Sequence, residues 1–236
     1  FYRGGSSPGI YEEGAVAKVS VQERIQAENE RVAAENRAAF AKAGVLVLNL
    51  VSSPGSGKTT LLEATLDRLP AAGLRSLVIE GDVSTARDLE RVQARGGAGV
   101  QINTGGGCHL SAQMVAGVLG GLDLASADVV FIENVGNLIC PSTYDLGEDA
   151  KVVLLATTEG DDKPMKYPAV FHESTLAVLN KIDLLPHLSY DIAKVEREIA
   201  VLNPRCEILR LSALRGDGMD RWLSWIAARL AAKRAG

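Results

Sequence analysis

The chain has 236 residues, 47% hydrophobic and 23% charged, with a net charge of −4, the composition of a soluble globular chain long enough for one large α/β core. A mildly acidic balance gives no global case for nucleic-acid binding, and no apolar run approaches the roughly 20 residues of a membrane span. Three cysteines, Cys108, Cys140 and Cys206, do not make a disulfide framework, and residues 1–19 show no signal-peptide pattern, so a reducing, cytoplasmic compartment is expected.

Residues 1–19, rich in Gly, Ser and charge without an apolar period, read as a flexible tail. Ser20 and Glu23 form a capping-box pattern that opens a long Ala/Glu/Arg-rich helix over residues 20–43. Val21, Ile25, Val32 and Phe40 give it a thin apolar stripe to pack along the main domain, and Gly44 ends it. A solvated connecting helix is the alternative. Strands and helices then alternate through a domain spanning 44–236. Strands are expected at 45–51, 75–80, 100–102, 128–133, 152–156, 174–179 and 207–211, and helices at 61–69, 85–94, 109–119, 190–202 and 218–232. This alternation predicts a mostly parallel sheet with helices on both faces and ligands at the carboxyl ends of the strands.

The first strand runs into Ser52, Ser53, Pro54, Gly55, Ser56, Gly57, Lys58, Thr59 and Thr60. That is strand, phosphate loop, helix. Backbone N–H groups of such a loop, with the positive end of the next helix, hold phosphate oxygens. Gly55 and Gly57 let the backbone approach closely, Lys58 reaches the β and γ phosphates, and the Thr59 hydroxyl binds Mg²⁺. Ser52 stands where the pattern usually has its first glycine. Downstream, Asn180, Lys181 and Asp183 form an N-K-x-D pattern directly after a strand. A carboxylate there accepts two hydrogen bonds from guanine N1–H and N2–H₂, which adenine cannot offer. Ser212 and Ala213, after the last strand, fit a loop contacting guanine O6. Asp82 and Glu133 end two strands, where either can hold Mg²⁺ beside Thr59. Gly136 follows Glu133 by three residues, so its N–H is placed to sense a γ-phosphate and reorder the loop behind it. No Gln or Arg stands out to orient an attacking water; Arg87 and Lys163 are loose candidates, and hydrolysis is expected to be slow.

Cys108 and His109 follow a triple-glycine loop at an expected loop-to-helix junction, and Cys140 lies in the loop after Gly136. A thiol at a helix start is expected to be acidic. Two thiolates and an imidazole suit Zn²⁺ or Ni²⁺, with a fourth ligand from water or from the same loops of a second chain in a two-fold dimer. A small buried Cys140, a redox or nucleophilic Cys108 and a helix-capping His109 are the competing readings. Cys206 reads as structural, His172 and His187 as isolated polar residues. Asp161, Lys163 and Lys166 lie in a polar loop that could bridge a dimer.

Taken together, Ser52 to Thr60, Gly81-Asp82-Val, Gly-Gly-Cys-His109, the run from Glu133 to Pro141, the run from Glu159 to Pro168 and Asn-Lys-Ile-Asp183 resemble the HypB family of hydrogenase nickel-incorporation GTPases, over about residues 20–236. The resemblance implies a P-loop GTPase that dimerises on binding GTP, hydrolyses it slowly with Mg²⁺ to GDP, and delivers nickel to the large subunit of nickel-iron hydrogenase together with other maturation proteins. It assigns Cys108, His109 and Cys140 to the transported metal, and Lys58, Thr59, Asp82 and Glu133 to Mg²⁺ and phosphate. Many members also carry an N-terminal cysteine cluster, which residues 1–19 lack. Two alternatives are a urease-type nickel chaperone, whose Cys-Pro-His loop differs from the separate Cys108-His109 and Cys140-Pro141 found here, and a P-loop switch NTPase without metal cargo.

Overall fold

The structure, a computed structural model, describes residues 21–82 and 98–235. The tail, Ser20 of the capping box, the helix expected at 85–94 and Arg87 lie outside the described residues.

The order of elements is α1 (Val21–Ala43), β1 (Leu46–Ser52), α2 (Lys58–Leu66), β2 (Ser76–Asp82), β3 (Ala98–Asn103), α3 (Ala112–Leu119), β4 (Val129–Glu133), β5 (Ala150–Ala156), α4 (Lys163–Lys166), α5 (Pro168–Glu173), β6 (Leu176–Asn180), α6 (Ile192–Leu202), β7 (Glu207–Arg210) and α7 (Met219–Ala235). The strands form one parallel sheet in the order β3-β2-β4-β1-β5-β6-β7. Every residue of β1, β4, β5 and β6 is buried, which is why these strands read as near-continuous runs of Val, Leu and Ile. On one face Leu46, Leu48 and Leu50 meet Leu61 and Leu62 of α2 and Trp222 and Ile226 of α7. On the other, Val45, Val47, Val130 and Ile132 meet Phe40 of α1 and Val115 of α3. Losing a fully buried ring such as Trp222, whose indole N–H also donates to Thr65 Oγ1 at 2.8 Å, costs about 3–5 kcal/mol. β1 lies between β4 and β5, where the chain reverses its direction across the sheet, so a crevice opens at its carboxyl end.

The N-terminal helix packs on the domain differently from its apolar stripe. Phe40 and Val32 are buried, but Ile25 is 54% exposed. Two buried asparagines fix the helix instead. Asn36 donates to the carbonyls of Ala112 and Leu146 at 2.9 and 3.1 Å. Asn29 donates to Asp145 O and accepts from Ala112 N, both at 2.8 Å. Gly44 ends the helix with a positive φ of 69°.

Helix starts also differ from expectation. α2 begins at Lys58, because the phosphate-loop Lys-Thr-Thr forms its first turn. α3 begins only at Ala112, because Ser111 takes the cap and accepts Met114 N at 3.3 Å. Cys108 and His109 therefore sit in the turn before the helix. α4 and α5, unassigned in the sequence, are short helices, each with a proline in its first turn.

Candidate functional site

The loop after β1 is shaped for close backbone approach. Gly57 has φ of 93°, and a Cβ there would lie 2.6 Å from Asn180 Nδ2. No side-chain hydrogen bond caps α2, whose first turn follows Gly57 at the carboxyl end of β1, the kind of helix start that receives phosphate oxygens. Lys58 Nζ donates to Ser52 Oγ at 3.1 Å, and Ser52 Oγ donates to Ser53 O at 2.7 Å. The serine at the glycine position thus holds the lysine at the strand end. Ser56 Oγ donates to Glu159 Oε1 at 2.5 Å, and Glu159 also accepts Ala156 N at 3.1 Å. The sequence reading did not single out Glu159 as a brace of this loop.

The N-K-x-D segment is tied to the same loop. Asn180 Nδ2 donates to Ser56 O at 2.9 Å and Lys181 Nζ to Gly55 O at 2.7 Å. Asn180 Oδ1 accepts the N–H groups of Lys181 and Ala213 at 2.8 and 3.1 Å, which brings the Ser212-Ala213 loop beside it. Lys181 has φ of 62°, unique among the described non-glycine residues. The backbone turns sharply there, and the lysine stem lies back over the phosphate loop. A cavity of about 250 Å³ opens at this place, lined by Gly57, Thr60, Asn180, Lys181, Asp183, Leu184, Ala213 and Leu214. Its lining is largely apolar with a carboxylate at one side, suited to a flat base. Asp183 is mostly buried, with Arg215 Nε 3.9 Å away.

Two contacts join the phosphate loop to the loop after β4. Thr59 Oγ1 donates to Glu133 Oε1 at 2.8 Å. Gly136 lies against Pro54, where a Cβ would sit 3.2 Å from Pro54 Cγ. Asp82 closes β2 opposite Asn103, next to β4; its side chain lies outside the description. Lys163 is held by Glu159 Oε2 at 3.8 Å and lies 5.4 Å over the Tyr167 ring. Asp161 binds Lys194 at 2.8 Å, and Lys166 binds Asp162 at 2.5 Å, so the polar loop is paired within the chain.

The loop after β4 also carries Cys140, which meets Cys108 and His109 of the loop after β3. The donor atoms of Cys108, His109 and Cys140 all lie within 4.8 Å of one another, with Cys108 Sγ 3.5 Å from His109 Nδ1. Tyr144 lies against the His109 ring at 3.9 Å, tilted by 30°, a contact that sequence spacing does not reveal. Burial pulls the His109 imidazole down, toward the neutral form that ligates metals. The acidic Cys108 expected of a helix start is not found. The thiol lies outside the helix, and its hydrogen bond with Cys140, then burial, push it up. A metal at this cluster must therefore displace the proton itself. Cys206 is packed below the sheet, and burial pushes its thiol up to about 11. His172 lies in α5 and His187 at the end of a short 3₁₀ turn.

Comparison with known proteins addresses the family directly. The CobW/HypB/UreG nucleotide-binding domain matches residues 46–210. The hydrogenase maturation factor HypB of Escherichia coli K12 is 52% identical over 199 residues, covering 84% of this chain and 68% of the relative. The chain belongs to the HypB family. It is thus related to hydrogenase maturation factors and carries their nucleotide-binding domain. The crystal structure of HypB from Archaeoglobus fulgidus superposes with a TM-score of 0.81 at 37% identity, covering 86% of this chain and 99% of that one. HypB from Helicobacter pylori in complex with nickel superposes with a TM-score of 0.84 at 36% identity, covering 88% and 97%. Among the described residues no helix is long and apolar enough to cross a membrane.

Proposed function

We propose that this HypB-family chain is a GTP-binding, slowly GTP-hydrolysing metallochaperone that dimerises with GTP and carries nickel to the large subunit of nickel-iron hydrogenase in the cytoplasm. One observation carries the coupling at its centre. The loop that opens with Glu133 and Gly136 against Thr59 and Pro54 carries Cys140 at its other end, beside Cys108 and His109. A phosphate that reorders one end of the loop moves a metal ligand at the other.

In this reading guanine enters the cavity at Asp183, whose carboxylate accepts from N1–H and N2–H₂, while Asn180 and Lys181 keep the base loop in register with the phosphate loop. Lys58 leaves Ser52 for the phosphates, and the uncapped turn of α2 donates its N–H groups. Mg²⁺ fits the hard oxygen donors already in contact, Thr59 Oγ1 and Glu133 Oε1, with Asp82 closing the neighbouring strand. When bound it neutralises charge on the phosphate oxygens. No Gln or Arg stands out in the sequence to hold an attacking water, which supports a switch with slow turnover.

The cargo site offers two sulfurs and one imidazole, a set that Ni²⁺ and Zn²⁺ both accept, as the nickel complex of the Helicobacter pylori relative supports for nickel. Cys108 is exposed, so the two-fold partner's loops can complete the coordination. Sedimentation velocity tests the dimer claim. A non-hydrolysable GTP analogue with Mg²⁺ converts the monomer to a dimer while GDP does not; the same sedimentation coefficient in both nucleotides contradicts the reading.

A further inference from the structure

Beneath the Cys140 loop runs a line of buried polar side chains that neither the nucleotide nor the cargo requires. Lys151 occupies the second position of β5, a strand otherwise wholly apolar, and is only 6% exposed. Its ammonium donates to three carbonyls of the segment just after Cys140: Pro141 at 3.3 Å, Ser142 at 2.7 Å and Tyr144 at 3.4 Å. Glu148 faces it at 4.0 Å and accepts Asn49 Nδ2 at 3.0 Å. Asn49, fully buried in β1, accepts Asn134 Nδ2 at 3.2 Å, and Asn134 accepts the backbone N–H of Leu110, the residue after His109, at 3.1 Å. The line starts under the loop bearing Cys140 and ends on the loop bearing Cys108 and His109.

Strand stability does not explain this lysine. A Val or Leu there would pair equally well, and buried ion pairs are often replaced by apolar groups without loss of stability. An ammonium has three donors in a compact head, and here they collect three carbonyls of one tight turn. One of those carbonyls belongs to Tyr144, whose ring lies on His109. The lysine therefore acts on two parts of the cluster at once, the Cys140 turn and the ring that orients His109.

We propose that Lys151 is a positioning residue for the Cys108–His109–Cys140 cluster, gathering the turn after Cys140, while Glu148, Asn49 and Asn134 hold that turn in register with the Cys108 loop. Resting on the cargo reading above, this adds a device that sets metal affinity without touching the metal. Groups that orient ligands in this way typically account for about 10- to 100-fold in affinity.

The test uses the full chain with Lys151→Met and, so that Glu148 is not left charged alone, the double variant Lys151→Met/Glu148→Gln. Two quantities are read, with Cys108→Ala as control. One is the dissociation constant for Ni²⁺ alone. The other needs no metal: the equilibrium in which the two thiols of Cys108 and Cys140 and one oxidised glutathione give the 108–140 disulfide and two reduced glutathiones, followed by mass spectrometry of the linked peptide. GDP affinity and the melting temperature report general damage. The expected result is Ni²⁺ binding about tenfold weaker or more, and a disulfide equilibrium constant lowered by a similar factor, with GDP affinity within twofold of the parent. Ni²⁺ affinity and disulfide constant both within twofold of the parent overturn the proposal, as does a parallel fall in GDP affinity. If the parent binds Ni²⁺ no better than Cys108→Ala, the cargo reading fails, and the disulfide constant alone decides the role of Lys151.

Discussion

In the proposed reading, nucleotide choice at Asp183 comes down to which groups accept and which donate. A carboxylate has only acceptors, and guanine presents N1–H and N2–H₂ to it. In Asp183→Asn one acceptor becomes an NH₂ donor facing guanine's own donors. GTP affinity should fall at least about 100-fold, and xanthosine triphosphate, whose C2 carbonyl accepts from the new amide, should become the preferred ligand. Titration with the two nucleotides checks this; GTP still preferred in the variant would put the base elsewhere than the cavity beside Asn180 and Lys181. Cys108 at the cluster and Cys206 in the core show how place decides thiol chemistry. Cys206 is apolar packing, with its thiol pushed up to about 11, whereas Cys108 is exposed and raised first by its hydrogen bond with Cys140.

Among the elements, α1 was the hardest to foresee. Its weak apolar stripe left open whether it packs or stands in solvent, and the answer lies in Asn29 and Asn36, which reach carbonyls more than 70 residues away in sequence. Asn36→Ala leaves the carbonyls of Ala112 and Leu146 without this donor and should cost about 1–3 kcal/mol in urea denaturation. A change under about 0.5 kcal/mol would mean the helix is held by Phe40 and Val32 alone. The central strands were legible because burial on both faces writes itself as unbroken apolar runs, and the phosphate loop because its glycines, Lys58 and Thr59 are adjacent in sequence. The start of α3 was not, since Ser111 competes with the preceding turn for the cap. Nor was the Lys151–Glu148–Asn49–Asn134 line, whose members come from β1, β5 and two loops. The only local hint was an Asn and a Lys inside strands that otherwise hold nothing polar but Ser52 at the end of β1. Tyr144 on His109 is likewise a contact between loops that no spacing rule joins.

Across the whole molecule, the two ends of the sheet do different work. At the amino end of the strands Asp128 gathers the fold: it accepts Arg75 N at 2.8 Å and Arg234 of the last helix at 2.6 Å. Burial opposes its charge, but these donors outweigh the cost and hold the carboxyl below its usual 3.8. A depressed folded pKa contributes stability above the unfolded value and loses it as pH falls through the folded one. Asp128→Asn should therefore melt below the parent at pH 7, with the gap closing as pH falls below the usual 3.8 and through the lower folded value; a gap that persists unchanged in acid would assign the loss to packing. At the carboxyl end, a single loop contacts the phosphate loop through Glu133 and Gly136 and bears Cys140. The central claim is that nucleotide state sets metal binding through this loop. Its most direct test is bound Ni²⁺ per chain by equilibrium dialysis, with a non-hydrolysable GTP analogue and with GDP, for the parent and for Cys108→Ala. The account predicts different binding in the two nucleotide states, lost in the variant; equal binding in both states, or binding indifferent to Cys108, would contradict it.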